Sequence, residues 1–132
     1  MKDVTKVALY GNAGTPNKND TLANSAYGAG QWVSGNQVYD TNWPATGQTL
    51  AGMSLASTSG LVTFDATDTA SSGSVTLANV YGCMLYDDTI AAGAGGVADQ
   101  GICYNFFGGA QSVTAGTFTV VWNASGIFTI SM

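Results

Sequence analysis

Asp65 and Asp68 in FDATDT, and Asp87 and Asp88 in YDDT, are the places where acidic side chains gather along this chain. Grouped loop carboxylates are calcium chemistry, because that ion takes about six to eight oxygens from carboxylates and backbone carbonyls. Neither stretch has the regular ligand spacing of a calcium loop, so Asx-turns and solvated carboxylates are the simpler expectation. No cofactor is expected. Nucleophilic chemistry is poorer still, since the chain has no His, no Glu and no Arg. That removes the usual general base, the usual glycosidase acid and the usual oxyanion or phosphate clamp. A Ser or Cys with no base beside it stays inert. A non-enzymatic protein is expected.

Cys83 and Cys103 match no zinc or redox spacing, and in a reducing compartment such residues act as small buried apolar side chains. They could pair only if their strands are neighbours. The triplets starting at Asn19 and Asn123 fit N-x-[ST], which matters only in a secreted protein. The glycines of AAGAGGVAD do not lie between a strand and a helix of a βαβ unit, so they read as a loop and not as a phosphate cradle.

Charge narrows the partners. Lys2, Lys6 and Lys18 are the only cations, all eight acids are Asp, and the net charge is −5. Binding DNA or RNA needs a basic stripe that displaces counterions, so nucleic acid is not an expected partner. Lys2 and Lys6 could instead help residues 1–20 dock onto an acidic neighbour, although solvated lysines are the plainer reading. No apolar run reaches the eighteen or so residues of a membrane span. The opening MKDVTKVALYGN has too short an apolar run for a signal peptide, so synthesis in the cytoplasm is expected. Charged residues make up only 8% of the chain, against about a quarter in ordinary soluble domains. A surface built from Thr, Ser, Asn, Gln and Gly suits a fixed assembly better than crowded solution.

Alternating apolar patterns and closely spaced turn residues make the chain all-β. Residues 4–10 form a first strand, followed by the loop GNAGTPNKND. DTLANSAYGAG has room for one helix of at most two turns, capped by Asp20 or Thr21. Trp32, Val33, Val38, Tyr39 and Trp43 crowd the next stretch. They either lid one end of a sandwich or face another subunit, since Trp and Tyr favour interface centres. MSLASTSGLVTFDA gives two strands around a Ser-Gly turn. SSGSVTLANVYGCMLYDD gives one long strand, with Val75, Leu77, Tyr81, Cys83 and Leu85 on one face and Thr76, Ala78, Val80, Met84 and Tyr86 on the other. Both faces are largely apolar, so this strand is central and covered on two sides. Gly82 marks a bulge or a close backbone approach. GICYNFFGG is a further strand, and TFTVVWNASGIFTI reads as a closing hairpin, with Phe118, Val120 and Trp122 on one face and a turn from Asn123 to Gly126. Residues 1–132 are read as one domain, a jelly-roll-like β-sandwich of about eight strands.

YGCMLYDDTI, GICYNFFGG and SVTAGTFTVVWNASGIFTI together resemble small structural proteins of tailed bacteriophages. In those proteins a strand ending in YDDT precedes a strand with an aromatic and paired glycines, then SVT-x-G-x-F and a W-x-x-x-G-I hairpin. The resemblance spans residues 75–131, and NDTLANSAYGAGQWVSGNQVYD and WPATGQTLAG are similar in flavour to the N-terminal halves of that group. It implies a virion component, either a head decoration (cement) protein outside the capsid lattice or a minor structural or tail protein. The expected partners are the major capsid protein or other virion subunits. A homo-oligomer is also expected, with a trimer at threefold positions as the starting guess. Lys2, Lys6, Trp32, Tyr39 and Trp43 are the candidate interface residues. The alternative is a tail or fibre module that stacks Trp32, Tyr39 and Trp43 on sugar rings.

Overall fold

The computed structural model describes residues 4–91 and 96–132, so Lys2 and part of the AAGAGGVAD loop lie outside the described residues. It is all-β. Nine strands are described: β1 (Thr5–Tyr10), β2 (Gln48–Thr49), β3 (Ser54–Thr58), β4 (Leu61–Asp65), β5 (Thr69–Ala70), β6 (Val75–Asp87), β7 (Gly101–Gly116), β8 (Thr119–Val120) and β9 (Phe128–Ser131). All pairings are antiparallel, in a four-stranded sheet β2-β1-β6-β7, a three-stranded sheet β3-β4-β9 and the pair β5-β8.

The four-stranded sheet is the wall of the molecule. β1 has buried side chains at four successive positions, Val7 to Tyr10, because alternate residues enter different cores. Val7 and Leu9 join Cys83 and Leu85 in a core shared with Phe64 and Val120 from the smaller sheets and with Trp122 just beyond β8. Ala8 and Tyr10 join Met84 and Tyr86 in a second core, closed by Trp32. The expected two-sided burial of the long strand is therefore observed.

Strict alternation fails along the first half of β6. Its register against β7 shifts between Leu77 and Val80 and again between Val80 and Gly82, and Asn79 adopts a left-handed conformation (φ 57°). Each irregularity changes which face the following residues present. Val80 consequently enters the first core, while Tyr81 leaves the row in which alternation places it. Gly82 is the expected close approach: a Cβ there would stand 2.5 Å from the Asn105 carbonyl oxygen and collide with the Tyr104 hydroxyl.

The closing hairpin is not formed. Asn123 to Gly126 do turn, with the Gly126 N–H donating to the Asn123 carbonyl at 2.8 Å, but the flanking strands go to different sheets. β8 pairs with β5 and β9 pairs with β4. Side-chain contacts account for the split. The Trp122 backbone N–H donates to the Asp68 carboxylate and its indole N–H to the Thr67 carbonyl, holding this side near β5. On the other side Phe128 packs on Phe64 of β4, ring centroids 5.2 Å apart. Phe118, Val120 and Trp122 still share a face toward the first core.

Within residues 20–30 the expected helix is reduced to one turn of 3-10 helix at Ala23–Ser25, and two further 3-10 turns follow at Gly30–Trp32 and Ser34–Asn36. Gly28 and Gly30, both at positive φ, interrupt the run. Thr21 does contribute a cap-like bond, its hydroxyl accepting the Asn24 N–H.

Candidate assembly interface

Two of the candidate interface residues are core residues. Trp43 is fully buried, its indole N–H donating to the Val7 carbonyl at 3.2 Å and its ring edge-on to Phe118. Trp32 is 4% exposed and packs edge-on against Tyr10, whose hydroxyl donates to the Trp32 carbonyl at 2.8 Å. Neither tryptophan of this aromatic stretch is left open for another subunit, since the chain itself buries both. The physical reason is the chain path: the 3-10 turns lay residues 23–36 across the second face of the wall, and the Asp40–Trp43 turn tucks Trp43 into the first core. The indoles therefore lie in separate cores and form no common platform. Tyr39 alone of the three aromatics is exposed, at 58%.

Lys6 projects from β1 and pairs with Asp88 at 2.9 Å, both side chains partly exposed. An ion pair at that exposure contributes about 0–1 kcal/mol, so it positions the two groups more than it stabilises them.

Asp65, Asp68 and Asp87 are each engaged by hydrogen bonds within the chain. Asp65 accepts the Ala66 N–H, Asp68 accepts the Trp122 N–H, and Asp87 accepts both the N–H and the hydroxyl of Thr89 in an Asx-turn. Among the described residues no three His, Cys, Asp or Glu side chains gather as metal ligands would. Asp40, missed in the sequence reading, ties its loop to β6 by accepting the Thr76 N–H at 3.0 Å, and that bond holds its carboxyl below the usual range.

Cys83 and Cys103 lie on neighbouring strands, but the register sets Cys83 opposite Asn105 and Cys103 opposite Leu85, and both are free thiols. Burial raises both thiols, Cys83 further, with Cys103 pushed up to about 11. Neither forms a thiolate at neutral pH.

What the molecule leaves open is apolar and lies elsewhere. Across the three-stranded sheet the register sets Leu55 beside Phe64 and Val62 beside Ile130, so these residues share one face. Phe64 at one end is buried in the first core, whereas Leu55 and Ile130 are 61% and 54% exposed. The face is thus covered at Phe64 and half-covered at Val62 and Phe128, and is left open at Leu55 on one edge of the sheet and at Ile130 on the other. A second open patch is Phe106 on β7 with Val121 beyond β8, lining a shallow groove with Phe107 and Ile127. The sequence signal for the first patch was present in LASTSGLVTF, an edge hairpin without charge whose pairing sets Leu55, Val62 and Phe64 on one face. No described helix is long and apolar enough to cross a membrane. No protein-family model, curated protein or solved structure matches the chain.

Proposed function

We propose that the chain is a non-enzymatic structural subunit of a bacteriophage particle, a capsid decoration protein bound to the outside of the head lattice. The observation that carries this reading is the open apolar margins of β3-β4-β9, where Leu55 and Ile130 are each more than half exposed on the face that also carries Phe64. Open apolar side chains grouped on one sheet face mark contact with another macromolecule. The buried Cys83 thiol, the partly buried Cys103 thiol and the hydrogen-bonded carboxylates support a role without a reactive centre. Repetition supplies the strength: a subunit that makes small contacts at many lattice positions is retained through effective concentration and needs no single tight interface. In this reading the major capsid protein and other copies of the chain are the partners, and the protein is made in the host cytoplasm.

A sugar-stacking module loses its main support, because two of its three aromatic rings are inside the cores. Cryo-electron microscopy of the intact particle tests the proposal. Density for the chain on the exterior of the head is the expected result, and density confined to the tail, or absent from the particle, overturns it.

A further inference from the structure

We propose that β3 is a pairing edge, and that it binds the same strand of a second copy antiparallel about a twofold axis through Ala56, joining two three-stranded sheets into one of six strands. This rests on the reading of the chain as an assembling subunit and names the partner of that surface.

β3 is the outer strand of its sheet, and it alone among the described strands has every residue exposed. Sheet edges are usually guarded by charge, proline, bulges or brevity. Apart from β9, which also lacks charge and proline but is one residue shorter and half-buried at Phe128, the other edges follow that rule. β2, β5 and β8 are two residues long, and β7 is broken by register shifts and by left-handed Gly108 and Ala115. Ser54–Thr58 has none of these guards: five consecutive residues pair with β4 in unbroken register, without charge or proline.

The outward groups follow from the turn. Ser59 and Gly60 both have positive φ (52° and 80°), the signature of a two-residue type I′ hairpin. In such a hairpin the flanking pair, Thr58 and Leu61, exchanges hydrogen bonds, and the exchange recurs at every second pair. Ala56–Thr63 and Ser54–Asp65 are then bonded inward, which leaves the N–H and C=O of Leu55 and Ser57 pointing off the edge. An antiparallel copy centred on Ala56 sets Leu55 opposite Ser57 of the second copy, and these outward groups bond one another.

Side chains and charge favour a second copy over a strand of other chemistry. At the axis the two Ala56 residues form a non-hydrogen-bonded pair, the close kind at about 4.5 Å between Cα atoms, which small side chains suit. The two Leu55 side chains become diagonal neighbours at roughly 7–8 Å, so the apolar row of Phe128, Phe64 and Leu55 continues into the other molecule. The nearest acid, Asp65, pairs with Ser54 at the far end of the hairpin from its turn. The twofold therefore sends the two Asp65 carboxylates to opposite ends of the joined sheet, beyond the roughly 8–10 Å over which exposed charges repel in physiological salt.

Sedimentation velocity on the full chain over a concentration series tests this. The wild type is expected to exchange between monomer and dimer, and Ala56→Lys and Ala56→Asp each to stay monomeric through like-charge repulsion at the axis. An equimolar mixture of the two variants is expected to regain the dimer, because only a twofold register at Ala56 sets one against the other. Ser57→Pro is expected to be monomeric with an unchanged circular dichroism spectrum, since the lost N–H faces outward. A dimer that survives Ala56→Lys, or a mixture that stays monomeric, overturns the pairing. A wild type that is always monomeric yet coats shells refutes the pairing alone, whereas a mixture that dimerises with no affinity for any particle sustains the pairing and refutes the assembly reading.

Discussion

Replacing Trp43 by Ala removes the largest fully buried side chain of the protein and tests whether this aromatic belongs to the fold or to a partner. The loss has two parts. The indole fills space between β1 and Phe118, and a Trp→Ala truncation in a core costs about 3–5 kcal/mol, with the cavity adding to lost transfer energy. The indole N–H also donates to the Val7 carbonyl inside the core, a bond whose net worth is about 0.5–1.5 kcal/mol. Trp43→Phe separates the two, since it keeps most of the ring volume and should cost about 1–2 kcal/mol. Because native domains hold only about 5–15 kcal/mol, the Ala variant should lose a large share of total stability. Urea unfolding followed by far-ultraviolet circular dichroism measures this without using indole emission. The expected pattern is midpoints ordered wild type, Trp43→Phe, Trp43→Ala, at a nearly constant slope. Equal midpoints in all three proteins, with particle binding lost in the Ala variant, would refute the placement of Trp43 in the core.

Gly82→Ala should destabilise by about 1–3 kcal/mol, because the added methyl overlaps the Asn105 carbonyl and the Tyr104 hydroxyl in the middle of the main sheet; thermal melts read the change. Burial raises the ionisation of Tyr10 and Tyr86 above the ordinary tyrosine value of about 10. Their contribution to stability is therefore complete below pH ~10 and lost as pH rises above it. Denaturation midpoints should fall more gently in Tyr86→Phe than in the wild type over that range. Cys83 and Cys103 should resist a maleimide or disulfide reagent near pH 8 in the native protein and react fully in denaturant; rapid native labelling of Cys83 would contradict its burial.

Period-two patterning was legible where the strands are regular. β1, β3, β4 and the Cys83–Tyr86 stretch lie where alternation puts them, and the two-sided burial of β6 followed from apolar residues at consecutive positions. Alternation failed at Asn79 and Tyr81, because a bulge is a local backbone event that shifts parity without changing composition. The closing turn was readable from Asn123 and Gly126, but the partners of its strands were not. Pairing there is decided by Asp68, Thr67 and Phe64, which lie far away in sequence. Trp32 and Trp43 show the same limit. Their types mark an apolar surface that needs covering, and only the path of residues 21–43 determines that the chain covers it itself.

The wall strand β1 pairs with β2 only at Lys6 and Val7, whereas it pairs with β6 along its whole length from Thr5↔Asp87 to Tyr10↔Gly82, so its main partner is a segment beyond residue 80. Contacts of such long sequence separation make folding slow. On the ribosome, the β3–β4 hairpin emerges and closes on its own turn well before that wall can be built. The β3 edge is bare during this interval, so the rate of translation through residues 66–87 is expected to change the yield of folded protein.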